Sequence, residues 1–395
     1  MKNTNHKDAA TLSMIEVMME FVRAAIFERE PIIPEKIYLD WDCLMDLSVD
    51  QGLLAWVWDG VCKLPEGQQP PRQQRINWGL SAQEIWDRYE KQRQTLMNMV
   101  DVCNRNGMKL LLLKGIGLSM LFPRPQSRPS GDIDIFLFDD FEKGNRLFAQ
   151  GDVHKGIKDM GFYYEEVFIE NHHKLIYTNT RQRRMANEYL LKSLSDIRLE
   201  KEGYYTLPLI SNVVYLLLHT LSHMDSEYVV SLRNIIDFGM LVHKNREQLS
   251  RADSCTKVMN NLGLLKAFSL LLKLSEKYLN IKYNEFKTSN IPQTDLRRAI
   301  LLVETREAKY CPKENISLYH NMKDFLRYQN QIVWLYKYAP ISVFELIRRS
   351  VKETGSIIVR GLFKVPSQMS VNSFFHQYRF NHSRYKSNSS YYEGE

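Results

Sequence analysis

No apolar run in this sequence approaches the length of a bilayer span. The longer ones, such as residues 213–218, fall far short of the roughly 20 residues such a helix needs. The N-terminal segment lacks the apolar core and the cleavage site of a secretory signal, so the cytoplasm is the expected location. Cysteine is sparse and unpaired. Five residues, Cys43, Cys62, Cys103, Cys255 and Cys311, are scattered with no close pair to form a metal knuckle, which suits reduced, mostly buried thiols. There is no internal repeat. Charge of one sign is not in large excess either: +7 over 395 residues is modest. Much of that surplus lies beyond Pro340, at Arg348, Arg349, Lys352, Arg360, Lys364, Arg379, Arg384 and Lys386. A solvated basic end explains it, and nucleic acid is not the expected partner.

What is present is a change of hydrophobic period. Residues 1–104 read as helical. Met14, Ile15, Met18, Phe21, Val22, Ala25 and Ile26 make one apolar stripe, which Pro31 and Pro34 close off. Residues 53–61, with Trp56 and Trp58, suit a core helix. A capping box at Ser81-Ala82-Gln83-Glu84 suggests the start of a long helix that Gly107 would end. Residues 105–205 then read as an α/β core. A buried strand is expected over 108–113, a short helix over 116–121, and a helix from Asp139 or Asp140 to Met160. A strand or hairpin is expected over 162–177. Helical spacing returns over 206–340, in segments at 213–221, 229–241, 257–278 and 295–308. The last region, 341–395, reads as a basic helix and a disordered polar tail. The fold class is therefore α+β, a small mixed sheet with helices, flanked by mainly helical regions on both sides.

Chemistry concentrates around Gly131-Asp132-Ile133-Asp134-Ile135. The apolar, β-favouring run makes this a strand, and residues two apart on a strand share a face about 7 Å apart. Two carboxylates held that way can share divalent cations. Upstream, Lys114-Gly115 ends a strand just before a helix. A glycine there lets a phosphate approach the backbone, and the lysine offers a point charge. Arg128 reads equally as a phosphate clamp or as a partner of the acidic cluster. His219 and His223 share a helix face, but no third zinc ligand is evident, so packing is their expected role. Arg233 and Asp237 are spaced as a helix-surface ion pair or a domain clamp. Arg181, Arg183 and Arg184 read as a solvated face.

Taken together, Leu113-Lys114-Gly115, Leu121-Phe122-Pro123, Arg128 and Gly131-Asp132-Ile133-Asp134 resemble the signature of the uncharacterised nucleotidyltransferase family within the DNA polymerase β-like superfamily. The helical segment with His219, His223, Leu232-Arg233 and Asp237 is similar to that family's later motif. The resemblance implies a third carboxylate on a neighbouring strand. Glu170, in a segment similar to the family's Glu-x-His motif, is the candidate, with Glu165 and Glu166 as alternatives. His172 and His173 read as strand-face or core residues.

The resemblance further implies Mg²⁺ (or Mn²⁺) held by Asp132, Asp134 and Glu170, with a nucleoside triphosphate as substrate, ATP included. Lys114, Gly115, Arg128 and Gly131 would bind its phosphates. The acceptor is left open, with a sugar, a peptide or a small metabolite allowed. A nucleotide-binding protein of the same fold without turnover is the competing reading.

Overall fold

The computed structural model describes residues 4–33, 39–156, 158–226, 231–304 and 338. Residues through Arg306 form one compact unit; a second, from Glu307, lies outside the described residues except for Tyr338. The expected basic helix and polar tail fall in that second unit.

Four helices come first: α1 (Thr4–Ile26), α2 (Trp41–Asp50), α3 (Leu54–Val61) and α4 (Arg72–Arg105). The apolar stripe of α1 is buried apart from Ala25, which is half-buried. Helix α2 is capped by the Asp40 side chain, which accepts from the Cys43 amide. Helix α4 begins at Arg72, directly after Pro71 and well before the capping box at Ser81. Proline ahead of the first turn is a start signal in its own right. The box therefore lies inside a helix already under way. Gly107, at φ +66°, follows the end of α4.

The sheet elements follow. They are β1 (Leu111–Leu112), α5 (Ile116–Ser119), β2 (Ile133–Phe136), α6 (Phe141–Phe148), β3 (Gln150–Lys155), β4 (Asp159–Tyr164), β5 (Val167–His172), α7 (Arg181–Ser193), β6 (Arg198–Leu199) and β7 (Tyr205–Thr206). Their order across the seven-stranded mixed sheet is β3-β4-β5-β2-β1-β7-β6. The helix expected to run to Met160 stops at Phe148, because 150–164 forms the antiparallel pair β3–β4. Strand β3 is exposed throughout, so it lacks the apolar alternation that marks a strand in sequence.

Alternation in the central strands sorts the two faces of the sheet. Ile133 and Ile135 of β2, with Val167 and Ile169 of β5, join one buried cluster with Leu96, Met99, Val100 and Cys103 of α4 and with Phe148 of α6. Each such fully buried side chain contributes about 1.5–3 kcal/mol. The intervening residues, Asp134 on β2 and Glu170 and His172 on β5, are thereby turned to the opposite face.

The C-terminal helices are α8 (Leu209–Ser226), α9 (Leu232–Lys244), α10 (Arg246–Ser250), α11 (Ser254–Asn261), α12 (Leu265–Leu279) and α13 (Gln293–Glu304). The single helix expected over 257–278 is two, α11 and α12, separated by Gly263 at φ +69°. These helices pack with the N-terminal ones. Arg23 donates to the Tyr278 carbonyl at 2.9 Å. The buried Gln51 side chain accepts from the Leu232 amide at 3.1 Å and donates to the Val303 carbonyl at 3.4 Å.

Among the described residues, no helix is long and apolar enough to cross a membrane. Of the four described cysteines, Cys103 and Cys255 are buried, while Cys43 and Cys62 are exposed. Burial pushes both buried thiols up to about 12, which keeps them protonated and inert.

Candidate active site

Strands β2 and β5 run parallel with Asp134 opposite Glu170 and Phe136 opposite His172. That register sets three polar side chains side by side on one face. Asp134 is fully buried and has a partner on each oxygen. Its Oδ1 accepts from His172 Nε2 at 2.9 Å, and its Oδ2 meets the Lys114 ammonium at 2.5 Å. The same His172 Nε2 lies 3.5 Å from Glu170 Oε2. Asp134, Glu170 and His172 each offer a ligand atom within 4.8 Å of the others. Asp132 is outside that set; its Oδ2 is 3.6 Å from Lys114 Nζ.

The charges follow from these contacts. Burial would raise the Asp134 carboxyl, but Lys114 and His172 outweigh it and hold the group well below the ordinary range. Asp132 moves the other way, raised by burial and by the charge of Asp134, with Lys114 only partly offsetting. Burial alone would lower Lys114, yet Asp134, Asp132 and Glu170 raise it overall. His172 is raised as well, because its bonds to Asp134 and Glu170 outweigh burial. Facing them from α8, the buried Tyr215 phenol is pushed well above its usual range by burial and then by Asp134, Glu170 and Asp132. Adjacent carboxylates shifted in opposite directions are a feature of working sites.

Lys114 is delivered by β1. The Leu113 amide donates to the Asp134 carbonyl at 3.1 Å, which sets the lysine directly beside its partner. Gly115 then turns the chain at φ +62°, ψ −122°, a conformation that side chains resist. A Cβ there would stand 3.1 Å from Ser130 Oγ and 3.2 Å from the Asp132 carbonyl. Gly115→Ala is therefore expected to destabilise the protein by about 1–3 kcal/mol. Denaturant unfolding checks this, and an unchanged midpoint would show that the turn relaxes freely.

The loop between α5 and β2 is anchored from several directions. Phe122 packs on Trp56 of α3 with centroids 4.6 Å apart. Arg124 pairs with the buried Asp59 of α3 and lies 4.7 Å over the Trp86 ring of α4. Trp86 Nε1 donates to Ser127 Oγ at 3.0 Å, and Gln92 Nε2 donates to the Ser130 carbonyl at 3.3 Å. Arg128 makes the strongest anchor. It forms a buried two-pronged pair with Asp237 of α9, Nε to Oδ1 at 2.9 Å and Nη2 to Oδ2 at 2.7 Å. Of the two readings of Arg128, the phosphate clamp is thus set against a guanidinium already matched to a carboxylate. Arg233, expected opposite Asp237, donates to the Pro129 carbonyl at 3.2 Å.

A small cleft opens to solvent between the Arg128 loop and helices α8 and α9. It is lined by Lys114, Gly115, Gly131, Asp132, His219 and Arg233 among others. A Cβ added at Gly131 would meet nothing within 4 Å, so packing does not demand glycine there. His219 stacks parallel to Tyr215 at 6.5 Å; the His223 side chain lies outside the described residues.

Glu165 and Glu166 occupy the β4–β5 turn at positive φ, where Glu165 accepts from Asn98 and Glu166 pairs with Lys91. Neither belongs to the Asp134 cluster. Arg183, expected on a solvated face, is buried and donates to Ser222 Oγ at 3.1 Å. His172 is the site residue that sequence reading assigns to the strand face or the core. The available signal is its spacing, two residues after Glu170 on an alternating strand.

A cleft lined by Lys114 and Asp132, with the buried Asp134, Glu170 and His172 cluster joined to it through Lys114, defines a polar site on a mixed sheet. Over residues 38–280 the chain matches the family described as uncharacterised nucleotidyltransferase, and it belongs to that family. Membership places it among nucleotidyltransferases, with a nucleoside triphosphate as the implied substrate. No curated protein and no solved structure matches it.

Proposed function

We propose that the chain transfers a nucleoside monophosphate from a nucleoside triphosphate to a hydroxyl acceptor, with a divalent cation held by Asp134, Glu170 and His172. The observation behind this reading is the convergence of those three donors within 4.8 Å beside the cleft. Two carboxylates and an imidazole suit Mn²⁺ or Mg²⁺, the imidazole favouring Mn²⁺. Such an ion supplies charge stabilisation at the transferring phosphoryl group and acidifies the acceptor hydroxyl.

The remaining work belongs to the chain itself. Lys114 holds positive charge at the cleft floor, where it can meet phosphate oxygens. Gly115, with no side chain, lets phosphate reach the backbone. Asp132, part-exposed and with its carboxyl raised, faces the cleft and is the group able to accept the acceptor's proton. Arg128 acts through the loop, positioning Asp132 by its pair with Asp237. Arg233 and His219 line the cleft where the rest of the substrate must lie. The acceptor remains a sugar, peptide or small metabolite as a class.

The test is pyrophosphate release from each of the four triphosphates in the presence of a cell extract, with and without Mg²⁺ or Mn²⁺. Release is expected only with the ion, and Asp132→Asn should reduce it by at least about a hundredfold. Release that survives Asp132→Asn would remove the role given to that carboxylate. Lys114, already paired with both aspartates, favours one alternative, a nucleotide-binding protein without turnover. Calorimetry separates the two, since tight nucleotide binding indifferent to Mg²⁺, with no pyrophosphate released, belongs to the second.

A further inference from the structure

Lys114 does not reach into the cleft as a free arm. Its side chain is about nine-tenths enclosed, and its ammonium lies between two carboxylates, 2.5 Å from Asp134 Oδ2 and 3.6 Å from Asp132 Oδ2. The backbone bond from the Leu113 amide to the Asp134 carbonyl and the turn at Gly115 fix the main chain from which the lysine springs. Burying an ammonium is costly, and only the opposing carboxylates offset that cost.

Asp134 therefore has two differently served edges. Its Oδ1 edge faces His172 and Glu170, the donors of the candidate metal site. Its Oδ2 edge, shared with Asp132, is served by a positive charge from the protein. A second divalent ion between the aspartates would have to displace an enclosed ammonium and then tolerate it within a few ångströms, a strongly repulsive arrangement.

We propose that the Lys114 ammonium is a built-in cation standing between Asp132 and Asp134 in place of a second metal ion, so that the protein loads one divalent ion, at Asp134, Glu170 and His172. This rests on the metal-dependent reading above and adds its stoichiometry. A fixed ammonium would serve phosphate as a point charge without waiting for a second ion to bind.

The experiment is a Mn²⁺ titration of the full-length, nucleotide-free chain, with free ion followed by electron paramagnetic resonance and folding checked by circular dichroism. Wild type is expected to bind one Mn²⁺ per chain. Lys114→Ala and Lys114→Gln, which remove the charge, are expected to bind two, and Lys114→Arg, which keeps it, one. Two ions on wild type, or one on a folded Lys114→Ala or Lys114→Gln, would overturn the proposal and leave nucleotidyl transfer standing. No ion on wild type would instead remove the metal-dependent reading itself, and this proposal with it. If neither uncharged variant folds, the wild-type count decides: one supports the proposal and two ends it.

Discussion

Asp134→Asn is expected to abolish pyrophosphate release, by a factor of about a thousand or more, and also to destabilise the protein by roughly 3 kcal/mol. Both effects come from one position. Asp134 is fully buried, and its two oxygens neutralise Lys114 on one side and bond His172 on the other. Asparagine keeps the size but leaves a buried ammonium without its nearest counter-charge. The comparison that isolates the claim is Asp132→Asn. That side chain is 29% exposed and lies 3.6 Å from Lys114, so its loss should depress turnover while moving the unfolding midpoint far less. Denaturant melts and release assays on the two variants provide the check. Equal midpoints for the two, or near-normal turnover in Asp134→Asn, would contradict this division of labour between the aspartates.

The pair between Arg128 and Asp237 carries the second large effect, and it needs no chemistry to explain it. Both side chains are about 95% or more enclosed, and their two bonds measure 2.9 and 2.7 Å. Removing one partner from such a pair strands the other charge, at a cost of about 3–5 kcal/mol. Asp237→Asn and Arg128→Met should each lower the melting temperature by on the order of 10 °C. The double variant Arg128→Met with Asp237→Leu should recover most of that loss, since two apolar groups need no partners. A double variant as unstable as the sum of the singles would show that the pair's packing, rather than its charge, matters. Turnover should fall in the singles too, because the loop that Arg128 anchors leads directly into Asp132, and a displacement of about 1 Å at a reacting group costs roughly a hundredfold in rate.

Local features of the site are readable in the sequence. Asp132-Ile133-Asp134 announces a strand, which carries Asp134 with Asp132 just ahead of its first residue; Lys114-Gly115 announces a strand-ending turn, and the helical spacing around both is clear. The residues that escape are those whose meaning depends on distant neighbours. Arg128 finds its carboxylate 109 residues later, and no spacing rule reaches that far. His172 reads as a strand-face or core histidine, and only the parallel pairing of β2 with β5 brings it to Asp134. Strand β3 reads as the end of a helix because an exposed edge strand has no apolar alternation to reveal it. The early start of α4 escapes for a different reason: the capping box at Ser81 is a stronger local signal than the proline at Pro71.

The buried pair also sets an order of events during synthesis. Strand β2 and the loop before it leave the ribosome long before α9, and until Asp237 is made, Arg128 has no charge to meet. The loop cannot be enclosed in that interval without stranding a guanidinium. Until α9 arrives, the contacts with α3 and α4 are the ones that can hold the loop, and the buried Arg128 pair completes its anchoring last.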